Sequence, residues 1–338
     1  MIRSSTPLRA LRIWVVRHAP GLGLSAIIAL AAAFLGSQYG APVLLMALLL
    51  GMAFHFLAAD GRFAPGIEVS ARTLLRLGVG LLGLRIALSD LAAFGGQKAA
   101  LVAGLVALTL GAGVLAGRLC GRPWGFAVLA GGAVAICGAS AALAIAAVLP
   151  RGAADERDTL FTVLAVTTLS TLAMVLYPLL FLGLGLDEAS VGFLIGATIH
   201  DVAQVVGAGY AVSETAGDMA TITKLFRVAL LPVVLVALGL ALRLVGLAGA
   251  GRVPLLPWFM LLFLALSVTG SLFDPPAALR AAVDSSARGL LVLAIAALGI
   301  KTSLRALARV GGGHLGVVVL ATVALLLAAV ALVLATAQ

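Results

Sequence analysis

The run GATIHDVAQVVGAG, residues 196–209, sets His200, Asp201 and Gln204 within five residues of an otherwise apolar stretch. An aspartate carried to the centre of a bilayer costs about 2.5–3.5 kcal/mol on insertion scales, so these groups must face protein or a polar cavity. On a continuous helix His200 and Gln204 would share a face at i,i+4, and Thr198 and Asp201 one at i,i+3. Histidine titrates near neutral pH and a buried carboxyl can be moved towards it. His200 and Asp201 are therefore candidates for coupling to a proton or a cation, with His200 and Gln204 as substrate contacts. The plainer reading is a hydrogen-bond cluster that fixes helix packing.

Two other segments could join them. Residues 131–144, GGAVAICGASAALA, carry Cys137, Gly138 and Ser140 in the middle of an apolar run. Small polar residues suit a broken helix, whose freed N–H groups and half-helix dipole can coordinate an anion. The alternative is a seam of small residues between helices. Further on, Lys224 and Arg227 stand at i,i+3 and can offer positive charge to an anion. Against this, both lie about two turns from the expected helix start, where long cationic side chains reach back to the interface. Arg85 and Lys301 are expected as topological anchors, and His55 as an interfacial histidine. Cys120 and Cys137 give neither a zinc spacing nor a disulfide framework, and Cys137 is expected as a reduced thiol. No metal or cofactor is expected.

The elements that must position these residues are helices. Of 338 residues, 63% are hydrophobic and 10% charged, and the mean hydropathy is +1.21. A soluble domain carries about 25% charged residues, so there is too little charge here to solvate a globule. Peptide groups in lipid must be paired internally, and the runs lack the period-2 alternation of barrel strands. The expected fold is thus an all-α polytopic integral membrane protein. Eleven spans are expected, at 22–37, 41–59, 70–89, 97–119, 125–149, 158–184, 188–212, 218–246, 254–272, 284–301 and 313–336. They form one transmembrane domain, 22–338, after a basic segment, 1–21, on the cytoplasmic surface. The excess of 22 basic over 13 acidic residues is spread between spans. That distribution points to an N-terminus on the cytoplasmic side, and not to nucleic acid. On this count Arg118, Arg122 and Arg243 lie inside, and Lys98, Arg151, Arg157 and Arg280 outside.

Residues 80–96 align without gaps onto 296–312: Gly83 meets Gly299, Arg85 meets Lys301, and Gly95-Gly96 meets Gly311-Gly312. The copies occupy the third and tenth spans, and an odd separation implies opposite orientation, as in inverted-repeat transporters.

The segments LGVGLLGLRIALSDL (77–91), AICGASAALA (135–144), GATIHDVAQVVGAG (196–209), TKLFRVALLPVVL (223–235) and AALGIKTSLRAL (296–307) resemble, in the same order, those of a bacterial membrane family named for sulfate export. That family is similar to inverted-repeat carriers such as bile-acid symporters and cation/proton antiporters. The resemblance implies two broken helices meeting near the bilayer midplane, with Cys137–Ser140 and His200–Gln204 as site elements.

The expected function is a secondary active transporter for a small anion, sulfate or a related sulfur oxyanion or sulfonate, coupled to protons or sodium. Ser140 and the Gly138 backbone would hold the oxyanion, Lys224 or Arg227 its counter-charge. The expected partners are the anion, the coupling ion, the lipid bilayer and a second copy of the chain. The motif GxxxxGK followed by Ser or Thr is absent, so direct ATP drive would need another subunit. An enzyme is not expected. The competing class is an intramembrane serine hydrolase with Ser140 and His200 as a dyad, although Ala141 stands where rhomboid-type proteases have a glycine.

Overall fold

The computed structural model describes residues 7–39, 43–86, 88–150, 152–247, 257–273, 275–302 and 313–336, and in them the chain is helical without a strand. The first helices are α1 (Pro7–Tyr39), α2 (Val43–Ala53), α3 (Ala64–Val69), α4 (Leu75–Leu81) and α5 (Leu88–Leu119). Then follow α6 (Trp124–Ala135), α7 (Ala139–Val148), α8 (Glu156–Leu182), α9 (Glu188–Thr198) and α10 (Val202–Val212). The last are α11 (Glu214–Ala229), α12 (Leu231–Leu244), α13 (Trp258–Leu272), α14 (Ala277–Lys301) and α15 (Gly313–Thr336). Among the described residues six helical stretches are long and apolar enough to cross a membrane unaided, including α1, α8, α14 and α15.

The chain divides into two compact units. One comprises residues 1–88 and 258–303. Helix α1 carries the expected basic segment and the first expected span as one helix from Pro7, with Pro20 inside it. Between α3 and α4 the helix widens to a π turn at Ser70–Leu74. Helices α2 and α14 meet where Gly51 faces Gly299: a Cβ on Gly51 would sit 2.9 Å from the Gly299 Cα, so neither tolerates a side chain. Arg85 and Lys301 are both ion-paired here, Arg85 to Asp284 at 3.6 Å and Lys301 to Glu68. His55 donates Nδ1–H to the Ile300 carbonyl at 2.9 Å, at the end of α14. Of the gapless repeat, residues 303–312 lie outside the described residues.

The other unit, residues 89–257 and 304–338, holds the polar segments. Here the structure corrects the expected topology. The fifth and seventh expected spans do not cross; each is a helical hairpin that returns to the end it started from. In the first, Gly125 at the start of α6 lies against Ala153 just beyond α7, and Gly132 lies against Ile145. In the second, Ser213 after α10 hydrogen-bonds Glu188 at the start of α9. The same direction follows from α11: Gly192 and Gly196 of α9 pack on Ala216 and Ala220, whereas Gly209 of α10 packs on Gly217. Helix α9 therefore runs parallel to α11 and α10 antiparallel to it.

The two hairpins enter from opposite ends of α15. At its first end His314 contacts Phe126 of α6 and lies 3.3 Å from Asp158 of α8. At its last end Val333 and Thr336 share a surface pocket with Lys98, Asp187 and Phe193. Helix α5 starts at that second end, where Phe94 meets Phe193, and finishes at the first, where Cys120 meets Gly316. Helix α8 runs the other way. Helices α5 and α8 are thus antiparallel, and each precedes one of the hairpins. This places Arg157 at the end occupied by Arg122, not opposite it as expected.

Candidate functional site

Each hairpin arm has ten to twelve residues. At 1.5 Å per residue an arm rises roughly 15–18 Å, about half of a ~30 Å hydrocarbon core, so the turns lie near mid-depth. The first turn is Ile136-Cys137-Gly138, within the segment 131–144 whose small polar residues suited a broken helix. Gly138 makes it possible: its φ of 61° and ψ of −122° are a conformation that side chains resist. The second turn is Ile199-His200-Asp201. Consequently His200 and Asp201 do not sit on a continuous helix, as the i,i+3 and i,i+4 pairing assumed. They form the tip itself, and Asp201 caps α10 by accepting from the Ala203 N–H at 3.3 Å. The tips touch: a Cβ on Gly138 would lie 3.6 Å from His200 Cβ.

A hairpin that stops in mid-membrane leaves carbonyls at the end of its first arm with no helical partner and no water. Two cations from α11 satisfy them. Lys224 donates to the carbonyls of Ile136 at 2.6 Å, Ile199 at 3.0 Å and His200 at 2.6 Å. Arg227 donates through Nε to Ala135, through one terminal nitrogen to Gly196 and Ile199, and through the other to Val134 and Ala135, all at 2.8–3.1 Å. An ammonium has three N–H groups and a guanidinium five, so both donor sets are fully used. Lys224 is 0% and Arg227 1% exposed, so the interfacial reading of these residues is wrong. Both also complement the negative dipole ends of α6 and α9. With every donor committed to backbone, neither can hydrogen-bond an anion in this arrangement.

The opposite poles of the two turns differ. The start of α10 is capped by Asp201, whose own N–H donates to Ser170 Oγ at 3.0 Å. The start of α7 has no side-chain cap. Ala139 is half-buried and Ser140 exposed there, and Asp201 and Val202 are half-buried, so this pole is open. Around it two buried polar atoms lack partners among the described residues, His200 Nδ1 and Gln204 Oε1. The hydroxyl of Thr322 lies 2.8 Å from the Val318 carbonyl and 3.0 Å from His200 Nε2. In the same way Thr171 donates to Thr167 and faces the Gln204 amide nitrogen at 3.5 Å.

The structure therefore sets the turn at Cys137 and Gly138 beside the turn at His200 and Asp201, with Lys224 and Arg227 behind both; Ser140 follows exposed on α7, and Gln204 lies buried on α10 beside Thr171. Cys137 is a buried free thiol. Among the described residues no hydrogen bond joins Ser140 to His200, whose Nε2 faces Thr322. Sequence reasoning missed Ser170, Thr171 and Thr322. The signal available was weak: a lone threonine in the apolar run of α15, and the cluster TTLST at 167–171.

A sequence profile described as Conserved hypothetical protein 698 matches residues 20–334. The chain belongs to this family. Within it, the UPF0324 membrane protein TauZ of Paracoccus denitrificans is 51% identical over 327 residues, covering 96% of each chain. A UPF0324 membrane protein of Rhizobium meliloti (strain 1021) is 49% identical over 93% of this chain and 92% of its own. Another, from Chlorobaculum tepidum, is 46% identical over 94% of this chain and 89% of its own. No solved structure matches. The relatives are membrane proteins, and with six apolar helices of spanning length among its described residues this family member is a multi-pass membrane protein.

Proposed function

We propose that this protein is a secondary active transporter for a small anion, sulfate or a related sulfur oxyanion or sulfonate, coupled to a proton or sodium gradient. The observation that supports it is the uncapped start of α7 at mid-depth, beside Ser140 and between two opposed hairpin tips. N–H groups at a helix start, with the positive dipole end behind them, suit an oxyanion. Opposed half-helices placed in reversed orientation are the inverted-repeat arrangement in which carriers expose one central site to either side. Lys224 and Arg227 act through their charge and by holding the turns, while Gln204, Cys137 and Gly138 shape the pocket. Asp201 at the same pole supplies coupling: a carboxylate beside a bound anion is repulsive, and its protonation removes the conflict.

In this reading the membrane is the bacterial inner membrane, and the end bearing Arg118, Arg122, Arg157 and His314 is cytoplasmic. The acidic end, with Asp187, Glu188 and Glu214, faces out, in keeping with the positive-inside bias. The test is uptake into sealed proteoliposomes of labelled sulfate, sulfite, thiosulfate and short alkanesulfonates under imposed pH or sodium gradients. Gradient-driven accumulation of one of them is expected. No accumulation of any under either gradient would sink the proposal.

A further inference from the structure

The carbonyls gathered by Lys224 form an unusual binding site for a side chain. Ile136 follows the first arm of one hairpin and Ile199 and His200 follow the first arm of the other, and all three carbonyls converge on one nitrogen within 2.6–3.0 Å. Backbone carbonyls at half-helix C-termini are the ligands that transporters use for small free cations. Here the cation arrives on a tether. The packing of α11 fixes its position: Gly192 and Gly196 let α9 approach Ala216 and Ala220, and Lys224 follows one turn later on the same helix. Arg227, a turn further on, donates to the carbonyls of Val134, Ala135, Gly196 and Ile199 in the same segments.

We propose that the Lys224 ammonium occupies a monovalent-cation site formed by the two hairpin tips, and that removing the ammonium opens this site to a free ion of similar size. The wild-type tips then need no sodium or potassium to hold their geometry. It follows that any sodium coupling of the transport proposed above must act elsewhere than at these carbonyls. The inference itself rests on the carbonyl geometry and not on the transport reading.

The experiment uses Lys224→Met, which keeps most of the apolar stem and removes the charge. Thermal unfolding of the purified full chain in detergent, without substrate, is followed against ammonium, potassium and sodium chloride, with choline chloride at equal ionic strength as control. Lys224→Met should melt below wild type and recover in a saturable way with ammonium or potassium but not with choline. Wild type should respond to none of them beyond the choline control. Lys224→Gln, which offers two N–H donors without charge, carries the same series should Lys224→Met not accumulate. The proposal is overturned if the variant is as stable as wild type, or if no small cation restores it beyond choline. A wild type that responds as strongly as the variant also overturns it. Failure of both variants to accumulate counts against it too, because a potassium-rich cytoplasm would fill an open site. Melting is read without transport, so a negative uptake experiment and a negative result here are separable.

Discussion

The hydroxyl of Ser213 donates to the carboxylate of Glu188 at 2.7 Å and closes the base of the second hairpin. Residues at the two ends of a long apolar run are thus neighbours, and the run cannot cross the membrane. With the two native cysteines replaced, single cysteines introduced at Glu188 and Ser213 should both react with an impermeant thiol reagent from the same side. One at Arg122 should react from the other. Labelling of positions 188 and 213 from opposite faces would restore the spanning reading.

Long apolar runs revealed the helices because the bilayer imposes them, and the small polar break at 136–138 was visible for the same reason. Hydropathy cannot distinguish one helix of about 25 residues from two half-helices that turn back, since both bury the same side chains. The flanks held the missing signal. Arg118 and Arg122 precede the first hairpin and Arg151 and Arg157 follow it, while Asp187 and Glu188 precede the second and Glu214 and Asp218 follow it. Basic residues on both flanks of the first run and on neither flank of the second are what segments returning to their own side should show. Lys224 was misjudged for a related reason. Its depth was counted from the expected span start at 218, whereas α11 begins at Glu214 and the tips it meets belong to hairpins that the sequence did not show.

Gly138 should resist substitution for conformational reasons. A Cβ there would meet Val166 at 3.5 Å, an ordinary contact, so space is not the obstacle. Its φ of 61° is, and such a conformation costs a residue with a side chain about 1–3 kcal/mol. Gly138→Ala should therefore lower the melting temperature clearly, whereas Gly104→Ala, where a methyl group meets nothing within 4 Å, should not. Equal effects from the two would mean that the turn at 136–138 is not built as described.

Asp187 caps α9, accepting from the Ser190 N–H at 3.0 Å and the Ser190 hydroxyl at 2.6 Å. The Ser190 hydroxyl and then its amide hold the Asp187 carboxyl below the usual carboxylate range. A carboxyl whose folded value is depressed stabilises the fold above its unfolded value, about 3.9, and loses that contribution as pH falls through the folded one. Asp187→Ala should cost about 0.5–2 kcal/mol near neutral pH, with the gap to wild type narrowing in acid below roughly pH 4. Unfolding at several pH values measures this, and a gap that widens in acid would contradict the assignment.

Asp201 and His200 should control transport and not folding. Asparagine caps helices as well as aspartate does, so Asp201→Asn should keep the start of α10 and the bond from its N–H to Ser170. It mimics the protonated carboxyl permanently. Substrate should still bind, but coupling to a proton gradient should be suppressed. His200→Gln keeps a polar group facing Thr322 while removing the imidazole, so if His200 carries the coupling proton the pH dependence of uptake should shift or vanish. If the cluster serves only to pack the tips, both variants should instead lose stability while uptake per folded molecule keeps its pH profile. Uptake against pH, measured beside thermal stability, separates the two readings. Wild-type pH behaviour in both variants would remove His200 and Asp201 from the coupling mechanism and leave the open start of α7 as a binding site driven by some other ion.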